Sequence, residues 1–214
     1  MNSGFDLNCR ACTRLADFMD QVKLENPGYH CRPVPPFGDA AGEVLVVGLA
    51  PGMHGANATG RPFTGDYAGV LLYETLHKYG FASKAESLAI DDGLVLSDLR
   101  ITNAVKCLPP GNKPLTDEVK KCNGFLQNEL TAEDNRIRVI LALGTVAHHA
   151  VLRAFALKLK DYPFGHLNEH QLPSGQILLD SYHCSRYNTN TKRLTEDMFH
   201  QVFARARAIM LKEH

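Results

Sequence analysis

The run Val44-Leu45-Val46-Val47-Gly48-Leu49 is continuously apolar and rich in β-branched side chains. A strand with one face in water alternates polar and apolar residues, whereas a strand covered on both faces has no such need. The segment is therefore expected to be a central strand of a parallel sheet, and parallel neighbours demand long crossovers, usually helical, that pack on the sheet faces. The segments Ile137 to Leu143 and Ile177 to Asp180 are also read as strands, and Arg100 to Lys106 supplies another. Helical spacing falls between them: Val70, Leu71, Tyr73, Leu76 and Phe81, then a helix N-capped by Thr116, one from Thr145 to about Leu157, and a last one beginning after Thr195 near Glu196. The expected fold class is α/β, a three-layer α/β/α arrangement around a central four-stranded parallel sheet. Ligands in such folds bind beyond the carboxyl ends of the strands.

The 214 residues suit a single domain spanning 1–214, and 44% hydrophobic content is enough for a sizeable core. Residues 1–42 read as an N-terminal arm holding the Cys9-Arg10-Ala11-Cys12 pair, a helical stretch from Leu15 to Leu24, and a Pro-rich segment from Pro27 to Phe37. The first twenty residues lack a basic stretch followed by an apolar run, and no window approaches the ~20 apolar residues that span a bilayer. No membrane partner is expected, and the protein is expected to be soluble and cytoplasmic. Its 23 basic and 23 acidic side chains balance, so composition points to no nucleic-acid partner. Local clusters that could meet phosphates are Lys106 with Lys113, Lys120 with Lys121, and Arg186 with Lys192 and Arg193; each is equally readable as solvated surface.

The first strand empties into a glycine-rich loop, Gly48 to Asp66, that presents His54, Asn57, Phe63 and Asp66. It fits neither the P-loop nor the dinucleotide fingerprint, and as bare composition it is compatible with a mobile surface loop. Asp66 could equally cap a helix beginning near Ala68. Asn103, inside an apolar strand, is either a buried amide satisfied by backbone or a reader of a nucleobase edge, since a carboxamide sets one donor beside one acceptor. The last strand runs into His183, Ser185 and Arg186, which can donate hydrogen bonds to a leaving group and to phosphates.

Six cysteines exceed ordinary need, and without a secretory signal metal ligation outweighs disulfides. Cys9 and Cys12 form a C-x-x-C pair, while Cys107 and Cys122 bracket a Pro-rich connection. Spacing alone allows a closed zinc site or a [4Fe–4S] cluster. Cys31 reads as a small core residue, and Cys184 falls beside the candidate site rather than among the ligands.

Taken together, Gly48-Leu49-Ala50-Pro51-Gly52, His54-Gly55-Ala56-Asn57, Thr59-Gly60-Arg61-Pro62-Phe63-Thr64-Gly65-Asp66, the strand Ile101 to Cys107 and the His183 loop resemble, in order, the uracil-DNA glycosylase superfamily and specifically its family-5 branch. The resemblance runs from Cys9 to the last helix. Cys184 stands where the family usually has Pro, and Ala58 where basic residues are common.

The resemblance implies a monofunctional glycosylase acting as a monomer on DNA that contains uracil or another deaminated base such as hypoxanthine. No lysine at the strand ends is an obvious Schiff-base nucleophile. Leu49 and Ala50 carry no polar group, and the resemblance assigns the catalytic carboxylate further along the loop, to Asp66, and to His183 a bond to the developing anion at O2. Phe63 would stack on the flipped base and Asn103 read its edge. Ala50, Gly52, His54 and Asn57 complete the substrate-contacting loop, and Ser185 and Arg186 meet phosphates. Cys9, Cys12, Cys107 and Cys122 would hold a [4Fe–4S] cluster. The rival readings are a non-catalytic nucleic-acid-binding module with a structural metal cluster, and a redox carrier.

Overall fold

Every residue of Val44–Gly48 is buried, as its unbroken apolar run requires. The computed structural model describes residues 4–211. In chain order their elements are α1 (Thr13–Glu25), β1 (Phe37–Gly38), β2 (Val44–Gly48), α2 (Ala56–Thr59), α3 (Tyr67–Lys78), β3 (Leu99–Asn103), α4 (Thr116–Thr131), β4 (Val139–Leu143), α5 (Thr145–Ala154), β5 (Glu169–Gln171), β6 (Ile177–Ser181), α6 (Arg186–Asn190) and α7 (Glu196–Met210).

The sheet order is β1-β3-β2-β4-β6-β5. The four inner strands are parallel, as expected, but the sheet is wider and mixed: β1 pairs antiparallel with β3, and β5 antiparallel with β6. Alternate side chains serve opposite layers. Leu45, Val47, Ile140, Ala142 and Leu178 join Leu15 and Met19 of α1, Leu126 of α4 and Val151 of α5. Val44, Val46, Val139, Leu141 and Leu179 join Leu72 and Leu76 of α3 and Phe199 and Phe203 of α7. Full burial of each such side chain stabilises by about 1.5–3 kcal/mol. This is the three-layer α/β/α arrangement, and α1 of the arm packs in the same core as the rest.

From β2 the chain crosses to β3 on one side and afterwards to β4 on the other, so a crevice opens at the carboxyl end of β2. β3 stops at Asn103 rather than Lys106. Beyond it Ala104 and Val105 donate to the carbonyls of Gly48 and Leu49, following the glycine-rich loop instead of a strand. The cap of α4 is Leu115 rather than Thr116, because Glu118 accepts from the Leu115 amide at 2.7 Å while Arg14 holds the carboxylate from outside. No helix among the described residues is long and apolar enough to cross a membrane.

Candidate active site

A cavity of about 570 Å³ opens at the crevice, lined by Ala50, Gly52, Phe63 and Asp66 after β2, Asn103 at the end of β3, and His183, Ser185 and Arg186 after β6. The register pairs Gly48 with Asn103. A Cβ on Gly48 would lie 2.4 Å from Asn103 Oδ1 and 2.7 Å from the Phe63 ring, so the missing side chain is what lets amide and ring close on one another. Phe63 has φ of 57°, which for a non-glycine residue costs on the order of 1–3 kcal/mol and persists only under outside constraint. That constraint comes from Tyr73, whose hydroxyl donates to the Pro62 carbonyl at 2.7 Å, from the Thr64–Ser87 hydroxyl pair at 2.6 Å, and from Arg61 bound to Asp92 at 2.9 Å.

Asp66 caps α3. Its Oδ1 accepts from the Gly69 amide at 2.9 Å, leaving Oδ2 beside Gly52 and Gly55. A Cβ on Gly55 would meet that of Asp66 at 2.6 Å, so Gly55 is a second place where close approach demands glycine. Burial raises the Asp66 pKa, partly countered by the backbone amides of Gly69 and Ala68.

Asn103 Oδ1 is buried with no hydrogen-bond partner in the chain. Such an acceptor costs about 1–3 kcal/mol unless something donates to it. The His183 ring stands 6.1 Å from that of Phe63 at an interplanar angle of 29°. Burial holds its pKa down to about 4, so at neutral pH the imidazole is uncharged and can donate one N–H. Its mount is firm: Asn188 Nδ2 donates to the His183 carbonyl at 2.8 Å, and the Cys184 thiol to the Ala68 carbonyl at 3.4 Å. Ser185 caps α6, and Arg186 lies over the exposed Tyr67 ring at 4.9 Å.

Two of the residues expected at the site lie apart from this cavity. His54 is exposed and bonds Tyr29 Oη at 2.8 Å; Asn57 is fully buried, its amide turned to Met53 O and Cys31 Sγ. Lys106 is no phosphate contact: it is 1% exposed and paired with Glu129 at 2.7 Å. Conversely, Thr145, Val146, Phe164, Tyr182, Asn112 and Arg193 also line the cavity. Thr145 and Val146 sit at the start of α5, just past the carboxyl end of β4, a position that fold topology alone could have flagged; Phe164 and Asn112 lie in connections with no such signal.

On the α1 side, Cys9, Cys12, Cys107 and Cys122 are free and line one small cavity with Leu15, Pro33 and Phe125. Burial and the neighbouring sulfurs push the Cys107 thiol up to about 12. Burial likewise pushes Cys122 up to about 11, although the Lys106 amide donates to its sulfur at 3.3 Å. Cys31 and Cys184 are buried elsewhere.

A slot of this shape at the switch point of a doubly wound sheet marks an α/β protein built to hold a planar, hydrogen-bonding ring. The family description "Uracil DNA glycosylase superfamily" matches residues 35–207. The chain is 45% identical over 206 residues to the type-5 uracil-DNA glycosylase of Thermus thermophilus, covering 94% of this chain and 93% of that one. It is 40% identical to the type-5 uracil-DNA glycosylase of Pyrobaculum aerophilum, with 94% and 89% covered. A type-4 uracil-DNA glycosylase of Archaeoglobus fulgidus is 36% identical over 126 residues, with 58% and 55% covered. The chain belongs to the uracil DNA glycosylase superfamily and, within it, to the type-5 family.

Proposed function

We propose that this protein excises uracil from DNA by hydrolysing the N-glycosidic bond, leaving an abasic site. The observation that carries the reading is the orphaned Asn103 Oδ1 beside Phe63 in the cavity. Uracil supplies the missing donor through N3–H, while Asn103 Nδ2 donates to O4. Phe63 offers its face to the flipped ring. As the N1–C1′ bond breaks, its electron pair leaves with the base, and the neutral His183 donates to the developing anion at O2. Asp66, with Oδ2 beside Gly52 and Gly55, stabilises positive charge on the sugar and orients the water that attacks C1′. Ser185 and Arg186 meet the flanking phosphates at the rim.

The proposal extends to a [4Fe–4S] cluster on Cys9, Cys12, Cys107 and Cys122. The four thiols converge on one small cavity, and the family resemblance favours the cluster over zinc. Iron and sulfide would there tie the arm to the connection after β3, a structural task. The arm and the rest form a single domain, because α1 shares their core. One chain holds every group the chemistry needs, which supports action as a monomer beside the DNA inside the cell.

The test is single-turnover release of uracil from a synthetic duplex, which a module that merely binds DNA would leave intact. Asn103→Ala should lose preference for uracil over thymine and cytosine before it loses duplex affinity; unchanged preference would remove Asn103 from base reading. Metal analysis of anaerobically purified protein should give about four irons per chain. Stoichiometric zinc without iron would overturn the cluster.

A further inference from the structure

Behind the cavity wall lies a buried cluster that the chemistry above does not use. Asp180, on β6, is fully buried; its Oδ1 shares a hydrogen bond of 2.7 Å with His148 Nδ1 of α5, and His170 Nε2 of β5 stands 3.7 Å from its Oδ2. Each partner of that carboxylate also grips the connection between α5 and β5. His148 Nε2 donates to the Tyr162 carbonyl at 2.9 Å, and His170 Nε2 to the Pro163 carbonyl at 3.1 Å. The Gly165 amide reaches Asp180 Oδ2 at 3.4 Å, and the Leu167 amide the Asp180 carbonyl at 2.9 Å. Between these fixed points sits Phe164. Its ring lies 5.6 Å from that of His148 and 6.1 Å from that of Tyr182, and Phe164 and Tyr182 both line the cavity.

We infer that Asp180, His148 and His170 are positioning residues that latch the 162–168 connection to β6 and so fix the Phe164–Tyr182 wall, setting the size of base the slot admits. The inference rests on the glycosylase reading. The same three donors would also suit a small divalent cation, but an ion bound at about 2.0–2.2 Å in tetrahedral geometry holds its ligands roughly 3.3 Å apart. The 2.7 Å contact is that of a hydrogen bond.

Single-turnover excision on two duplexes, one carrying uracil and the other hypoxanthine, decides the matter. With the latch cut in His148→Gln or His170→Gln, Phe164 is released and the slot widens. Uracil release should fall about tenfold while hypoxanthine release falls much less, raising the hypoxanthine-to-uracil ratio at least fivefold. Phe164→Ala, in a partly exposed connection, should reproduce the shift without touching the latch, and decides if His148→Gln does not fold. A general packing role would lower both rates by one factor; a ratio within twofold of wild type in His170→Gln and Phe164→Ala overturns the inference, as does stoichiometric zinc lost on His148→Gln. Where wild type leaves hypoxanthine intact, newly detectable release in the variants supports the latch and its absence overturns it. Failure of wild type on both duplexes refutes the glycosylase reading itself, and the inference with it.

Discussion

On the proposed mechanism Asp66 holds two posts. Oδ1 is committed to the Gly69 amide, so Asp66→Asn keeps the acceptor that caps α3 but loses the charge that favours a cationic sugar. Single-turnover excision should fall by about 10²-fold or more with melting temperature and duplex affinity nearly unchanged. Excision within a few-fold of wild type would reduce Asp66 to a cap. The pH profile carries the same signature. Burial raises the Asp66 pKa, so excision should decline on the acid side at a pH above the ordinary carboxylate range, and that limb should vanish in Asp66→Asn. His183 adds no break near 6.5, its usual value, because its proton is already gone above about 4. The same depression makes the fold favour neutral His183 over an unfolded chain that protonates near 6.5, so this stabilisation is complete above that pH and shrinks as pH falls towards about 4. A break at 6.5 in wild type, abolished in His183→Gln, would refute the assignment. Asn103 and His183 could be placed at the cavity because each is a polar residue at or just beyond a readable strand end, whereas Asp66, far along the loop after β2, was singled out by the resemblance. Asn57 and His54 share the same loop and were read the same way, but one folds inward to Met53 and Cys31 while the other turns out to Tyr29, and no local pattern tells those directions apart.

At the scale of elements, β2, β4 and β6 were readable from largely apolar runs that need cover on both faces, whereas β3, with Arg100 and Thr102 in it, was read without such a run. β1 and β5 were left out of the strand count for the converse reason: with two and three residues at the sheet margins, neither is long enough to show a period, although Pro173-Ser174-Gly175 has the look of the hairpin turn that joins β5 to β6. β3 was drawn too long because Ala104 and Val105 are as apolar as a strand, although they pair with the loop after β2. Gly48 is where strand geometry and site geometry meet. Gly48→Ala places a methyl 2.4 Å from Asn103 Oδ1 and 2.7 Å from Phe63, so one of the two must yield. Excision is expected to fall about 10²-fold or more, the scale of a catalytic geometry misplaced by roughly 1 Å, with duplex affinity far less affected. Wild-type rates in that variant would show that the amide and ring are not held in contact as described.

Across the whole molecule, charge was the poorest guide. Lys106 looked like surface because lysines usually are, but its partner Glu129 lies on α4, 23 residues further along, and only the fold, which sets that helix beside the segment after β3, brings them together. The pair is 1% and 2% exposed, so removing one member leaves a buried charge uncompensated. Lys106→Met should cost about 3–5 kcal/mol in denaturant unfolding, and adding Glu129→Leu should restore most of it. A single variant as stable as wild type would show that water reaches the pair.

The arm that bears Cys9 and Cys12 also hands the His30 and Cys31 amides to the carbonyls of Ala58 and Asn57, in the loop that leads to Asp66, and the Val34 amide to the carbonyl of Lys106 next to Cys107. One strap thus runs from the proposed metal to the catalytic loop. Were the proposed cluster missing, the arm would keep the packing of α1 and the Val34 bond but would lose its tie at Cys9 and Cys12, and the loop it supports would be held less firmly. On that proposal maturation, not synthesis, would decide when a chain begins to work: in cells starved of iron, excision per chain is expected to fall while the number of chains holds steady.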